Sequence, residues 1–292
     1  MAEIIQILIL GLALGGVIAL MGSGLSLVFG VMHIVNLAHP ALIVAGAYVT
    51  FLGFRYLGID PILMMIPSAI VMAVVGVVIY KLIFEKEARS AKYSEMTVLL
   101  TFALAMSVEG LLGVLFTNTH RVTSPAYATD AFFIGNVFIP KGQLYAGVIS
   151  LTLIAGVALF LKYSRLGYAI RATTQNREAA ELLGVNVNRI SIISFALGLA
   201  LAGAAGSLVS FVFSFFPAKH WEWIPMLMSV VVLGGMGSIL GTVVGALVLS
   251  VIAAFVGTWI GATWSTMTFF LALFVILLVR PQGLFGEKPE MS

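Results

Sequence analysis

The chain contains no cysteine, and only 9% of its residues are charged. The first absence excludes disulfides, iron–sulfur clusters and thiolate zinc sites. The second excludes an ordinary soluble domain, in which about a quarter of residues carry charge. No GxxxxGK[ST] phosphate loop occurs, so the chain has no recognisable means of binding ATP, and any ATP must be handled by a partner. HExxH and CxxC are absent too, and His33, His39, His120 and His220 are scattered without ligand spacing, which argues against a metal site. No polar stretch approaches the ~50 residues of a separate soluble domain. The start, Met1-Ala2-Glu3-Ile4, lacks the basic n-region of a signal peptide, and the apolar run behind it is too long for an h-region. The first segment is therefore expected to remain as a membrane span.

What the chain does have is apolar sequence: 61% of residues are hydrophobic and the mean hydropathy is +1.13. This is the composition of an integral protein of the lipid bilayer. A net charge of +3 raises the question of nucleic acid. Its lysines and arginines sit in short loops between apolar runs, which is a topology signal and not a phosphate-binding face. Nucleic-acid binding is accordingly set aside.

At roughly 20 apolar residues per span, the candidates are Ile4–Val31, Ala38–Phe54, Ile62–Phe84, Thr97–Phe116, Leu144–Leu161, Ile190–Phe215, Trp223–Ser238, Ile239–Val256 and Thr263–Val279. The expectation is an all-α polytopic bundle of eight or nine segments, some of them re-entrant. Basic residues gather at Lys81, Lys86, Arg89 and Lys92, at Lys162, Arg165, Arg171, Arg177 and Arg189, and at Arg280 and Lys288, which places those regions and the C-terminus on the cytoplasmic side. Gly234-Gly235-Met236-Gly237-Ser238 interrupts the late apolar run, and Asn36–Pro40 interrupts an early one. Irregular backbone at such places is tolerated only where protein buries it or it lines a cavity. If Ala38–Phe54 crosses fully, the N-terminus lies outside; if it re-enters, the N-terminus lies inside. Thr117 to Gly142, which includes Asn118, His120, Asp130 and Asn136, reads as an external loop and a docking surface for an outside partner.

Few residues are candidates for chemistry. Gly22-Ser23-Gly24 invites comparison with a serine hydrolase, but a triad also needs a positioned base, and small residues that let helices approach are the simpler reading. The spacings Gly11/Gly15, Gly237/Gly241, Gly241/Gly245 and Gly257/Gly261 carry that same packing signal. Glu109 is an acid inside an apolar span, where insertion costs about 2.5–3.5 kcal/mol, so it reads either as a functional residue or as a polar tie between helices. Asn36 and His39 flank the first break: Asn36 suits a helix cap, and His39 suits either a cap or a solute path. The polar island Lys162–Arg189 is the sharpest feature. Within it Asn176 to Leu183 has the length of two helical turns, Arg171 and Arg177 precede or open them, and Gly184 supplies the stop. A short helix at the cytoplasmic surface fits a groove in an ATPase subunit, or else rests on lipid through Ala179, Ala180, Leu182 and Leu183.

Five stretches in order resemble the membrane permease subunits of branched-chain amino acid (LIV-type) ABC importers. They are Gly30-Val31 through Asn36-Leu37-Ala38-His39; Gly46-Ala47-Tyr48; Gly167-Tyr168-Ala169-Ile170-Arg171-Ala172 with Glu178-Ala179-Ala180-Glu181-Leu182-Leu183-Gly184; Leu233-Gly234-Gly235-Met236-Gly237-Ser238 with Gly241; and Arg280-Pro281-Gln282-Gly283-Leu284-Phe285-Gly286. The resemblance covers the whole chain and implies one transmembrane permease domain over residues 1–292, in a bacterial inner membrane. It implies a second permease subunit, a paralogue or another copy, together with two cytoplasmic ATPases that use ATP and a periplasmic or lipid-anchored binding protein that delivers the solute. The segment 162–190 is then similar to the EAA coupling loop of ABC importers, with Glu178-Ala179-Ala180 and Gly184 matching and the later isoleucine-x-leucine-proline portion missing. Where relatives read Asn-x-Ala-His-Gly-Glu, this chain has Asn36-Leu37-Ala38-His39-Pro40-Ala41. The implied solutes are branched-chain or other amino acids, or a small amide such as urea, and the implied role is transport rather than catalysis. A secondary transporter driven by an ion gradient through Glu109 is the competing class.

Overall fold

The computed structural model describes residues 1–85, 93–135, 137–280 and 282–285. Lys86, Arg89, Lys92, Asn136, Pro281, Gly286 and Lys288, to which the sequence reading gave topological or motif roles, lie outside the described residues. The opening apolar run forms α1 (Ala2–Met32), which ends where His33 turns left-handed at φ 55 and its N–H bonds the Phe29 carbonyl at 2.7 Å. Residues 33–38 are not helical, and α2 (His39–Leu57) follows with Pro40 in its first turn, where a missing N–H costs nothing. Helix α3 (Pro61–Ile79) starts on an Asp60 cap, whose Oδ1 accepts from the Ile62 N–H at 2.8 Å, and runs into a π turn at Tyr80–Phe84. Next come α4 (Tyr93–Phe116), the short α5 (Ala126–Thr129), and a hairpin of β1 (Ala131–Ile134) with β2 (Val137–Pro140), paired antiparallel from Ala131↔Pro140 to Ile134↔Val137. Helix α6 (Lys141–Tyr163) leads to α7 (Arg165–Gln175) and α8 (Arg177–Leu182). Helix α9 (Val187–Val212), a 3-10 turn at Pro217–Lys219, α10 (His220–Gly234), α11 (Ile239–Trp259) and α12 (Ala262–Val279) complete the chain.

Two ends of the bundle are fixed by polar contacts. At one, Gln6 accepts from the Phe138 N–H at 3.2 Å and Asp60 accepts from the Tyr127 hydroxyl at 3.0 Å. The start of the chain therefore lies beside the 117–140 segment, on the side the charge pattern makes external. At the other, Tyr80 donates to Asn188 at 2.9 Å and Asn188 donates to Glu85 at 2.9 Å, tying the foot of α3 to the start of α9. Helix α2 begins about a third of the way back along α1 from its C-terminal end, since His39 reaches the Met21 carbonyl and lies against Gly24, and ends beside Asp60. The crossing is thus shared between the irregular residues 33–38 and a helix, which places the N-terminus with the 117–140 end, as a full crossing of Ala38–Phe54 requires.

Helix α9 is the axis of the core, packed against α1, α2 and α3. Small residues make this possible: a β-carbon on Gly203 would stand 2.5 Å from the Ser68 carbonyl oxygen, and the Ser68 hydroxyl donates to the carbonyls of Gly46 and Gly203 at 3.1 and 2.9 Å. The Gly11/Gly15 spacing lets α1 cross α11 at Val251 and Leu247. Ser23 donates back to the Ala19 carbonyl, a local helix bond rather than a nucleophile's partner.

Eight helices among the described residues are long and apolar enough to cross a bilayer. The sequence reading of a span over Trp223–Ser238 is corrected: the helix there is α10, His220–Gly234, only 15 residues. It is about 22 Å long. Gly235 and Gly237 take φ 97 and 90, so the helix cannot continue through them. Backbone N–H groups of Leu284 and Phe285 bond the carbonyls of Leu233 and Gly234 at 2.8 and 3.2 Å, capping the open end of α10 from a distant segment.

Candidate functional site

The polar island folds into two helices joined at one residue. Ser164 caps α7 by accepting from the Gly167 N–H at 2.9 Å, and Asn176 caps α8 by accepting from the Ala179 N–H at 2.9 Å. Helix α8 stops in a paired bond pattern, Val185 N–H to Ala180 carbonyl and Gly184 N–H to Glu181 carbonyl, both at 3.0 Å, with Gly184 at φ 87. This is the Schellman arrangement that favours glycine. Glu178, Ala179, Glu181 and Gly184 face outward, while Ala180 is buried against the bundle. Leu182 and Leu183 are 90% and 85% exposed, the two most exposed leucines at this end. Arg171 turns inward: its guanidinium donates to the carbonyls of Leu161 and Lys162 and closes the C-terminus of α6. Arg177 opens α8 near His33, and partial burial followed by that guanidinium's charge holds the His33 imidazole below its ordinary range.

The first break is a three-helix junction. Asn36 Oδ1 accepts from the Ala38 N–H at 3.1 Å, capping the turn before α2. The fully buried His39 ring reaches the Met21 carbonyl at 3.1 Å, and it lies so close to α1 that a β-carbon on Gly24 would stand 2.8 Å from its Cε1. Asn36 Nδ2 and His39 Nδ1 are both buried and have no hydrogen-bond partner among the described residues. Thr101 of α4 donates to the Val35 carbonyl at 3.3 Å, so α4 also holds this connection.

Glu109 lies higher on α4, seven residues before its end, or roughly 10 Å below it. Its Oε2 accepts from the Trp221 indole N–H at 2.9 Å and stands 3.7 Å from Nε2 of His220. Among the described residues no hydrogen bond or ion pair joins Glu109 to Asn36 or His39. The structure joins Glu109 instead to His220 and Trp221, which sequence reasoning passed over. Their separation from Glu109 by 111 and 112 positions leaves no spacing signal; the one available hint was a histidine–tryptophan pair opening an apolar helix.

The family model described as "Branched-chain amino acid transport system / permease component" matches residues 7–278, and the chain belongs to that family. It is 28% identical over 293 residues to the high-affinity branched-chain amino acid transport system permease protein LivH of Escherichia coli K12, covering 97% of this chain and 95% of that one. It is 28% identical over 299 residues to the BraD permease protein of Pseudomonas aeruginosa, covering 99% and 97%. A probable LivH permease of Methanocaldococcus jannaschii is 24% identical over 279 residues, covering 92% and 88%. No solved structure matches the chain.

Proposed function

We propose that this chain, a member of the branched-chain amino acid permease family, is one of two permease subunits of an ATP-binding-cassette importer in the bacterial inner membrane. Branched-chain amino acids are the first solute class to test, because the relatives carry that description; other amino acids and small amides such as urea follow. The single observation that supports the ATP-driven reading most is α8, a capped helix with a glycine stop and two bare leucines, set at the end of the bundle where basic residues gather. Apolar side chains at a polar rim have their natural place in a groove of another protein.

In this reading two cytoplasmic ATPases bind ATP and close on each other. The helix Arg177–Leu182, seated in an ATPase groove through Glu178, Ala179, Leu182 and Leu183, follows that motion. Ala180 and Arg177 face the bundle and pass it on, while Arg171 keeps α7 fixed to α6. Solute released by an external binding protein then crosses inward by alternating access, with Asn36, His39 and Glu109 as candidate residues along its path. The gradient-driven alternative leaves α8 without a purpose.

Replacing Gly184 by valine tests the assignment. A β-branched residue at φ 87 is strained by about 1–3 kcal/mol, and no atom of the described residues stands within 4 Å of a β-carbon there, so the described bundle is left intact. Gly184→Val is expected to insert normally and to lose most solute uptake. Unchanged uptake by a correctly inserted variant sinks the coupling role of this segment.

A further inference from the structure

The surroundings of Glu109 contain more acceptors than donors. Nδ1 of His220 lies 3.1 Å from the Pro217 carbonyl, which only accepts, so Nδ1 carries the ring proton. In the neutral ring Nε2 then presents a lone pair, and it is fully buried with no hydrogen-bond partner among the described residues. Glu109 Oε2, another acceptor, stands 3.7 Å from it. Trp221 supplies a single N–H to this carboxylate. Burial of the histidine disfavours the imidazolium that would otherwise fill the gap. The neighbouring charges, Lys219 and Glu222, are paired with each other.

The walls are aromatic: the Trp221 ring packs on Phe102 with centroids 5.7 Å apart and on His220 at 4.7 Å. Glu109 is 25% exposed, and Trp221 and Phe102 are each 39% exposed, so the cluster opens outward from the bundle. A carboxylate with an open face in an apolar span is not stable against lipid and needs water or a polar group there.

We propose that Glu109, His220, Trp221 and Phe102 form a binding site for the primary ammonium group of a solute, in the half of the permease nearer the 117–140 segment. An ammonium brings three N–H donors and a positive charge, which match the part-exposed carboxylate of Glu109 and the aromatic faces of Trp221 and Phe102, while buried His220 backs the carboxylate without donating to it. This deepens the transport reading, on which it rests, by selecting amino acids over neutral amides.

The test uses the purified full chain in lipid nanodiscs, with tryptophan fluorescence at pH 7 as readout. The probes are isoamylamine, which is a leucine-like chain with only the ammonium, and 4-methylpentanoate, which has only the carboxylate. Isoamylamine is expected to change the fluorescence saturably, Glu109→Gln to weaken that response about tenfold or more, Glu109→Asp to retain it, and 4-methylpentanoate to produce none. No saturable response to isoamylamine, an equal response in Glu109→Gln, or an equal response to the carboxylate overturns the site. If Glu109→Gln does not purify as a single species, the contrast between the two probes on the wild-type chain decides alone. ATP-dependent leucine uptake in vesicles that also hold the native partner subunits separates the two readings. Full uptake by Glu109→Gln removes the ammonium site and leaves the importer; no uptake by the wild-type chain removes the importer.

Discussion

Gly203 shows how much of this molecule is decided by the absence of a side chain. Its α-carbon lets α3 come within bonding distance, and Ser68 then ties α2 and α9 together through two carbonyls. Gly203→Val forces a branched side chain into backbone 2.5 Å away. Overpacking of this kind costs about 1–3 kcal/mol, occasionally more, so the variant is expected to melt well below the wild-type chain in detergent; an unchanged melting temperature contradicts the packing. His39→Phe tests the other junction. It keeps the ring and removes the bond to the Met21 carbonyl, with an expected loss of about 1 kcal/mol, measured by the same melt. At this scale the sequence was unevenly legible. Gly184 was readable, because a glycine behind a two-turn helix has one common use. Glu109 was readable as an exception in an apolar run, but its partners were not, because chain distance says nothing about which helix faces which. Arg171 was readable as part of the coupling loop, but the bonds of its guanidinium to the carbonyls at the end of α6 were not.

Among the elements, α10 departs most from what hydropathy suggests. Composition alone extends it to Ser238, since Val230-Val231-Val232-Leu233 is strongly apolar and Met236 continues the run. Backbone geometry ends it at Gly234, and the tail around Gly283 closes it. Gly283 has φ 79, and a β-carbon on it would lie 2.3 Å from the Val232 carbonyl oxygen. Gly283→Val is therefore expected to detach the tail and leave the Leu233 and Gly234 carbonyls open. Two backbone bonds at about 1 kcal/mol each set the scale of the loss. Hydrogen exchange provides the check: the Leu284 and Phe285 amides, slow in the wild-type chain, become fast in the variant. Helix α2 carries the complementary lesson. The polar break Asn36–Pro40 was visible in the sequence, but not that the chain would climb about a third of the way back along α1 before the helix begins, because that depends on the His39–Met21 contact between distant residues.

For the whole molecule, the lack of cysteine makes sidedness directly measurable, since any introduced thiol is the sole one. Thr119 and Glu181 are both exposed, at opposite ends of the bundle. A membrane-impermeant maleimide is expected to label Thr119→Cys on intact spheroplasts and to reach Glu181→Cys only after the membrane is opened. Labelling in the reverse order overturns the orientation assigned from the basic residues. Mild-detergent purification of the tagged chain is expected to bring down two ATPases and a second permease; recovery of the chain alone, where a control importer stays whole, favours the gradient-driven class. The bundle class and most span positions followed from composition and charge, whereas the order of packing around α9 did not, because nearly every helix is apolar on all sides and hydropathy cannot say which face meets which neighbour. The capping of α10 by residues 284 and 285 also sets an order of events during synthesis. As the chain leaves the ribosome, α10 emerges with its last carbonyls open, and two further spans must be threaded into the bilayer before the segment that closes them has been made. Until then that end of the helix depends on lipid headgroups, water or a chaperone, and the nascent protein carries an uncapped helix end open to quality-control proteases.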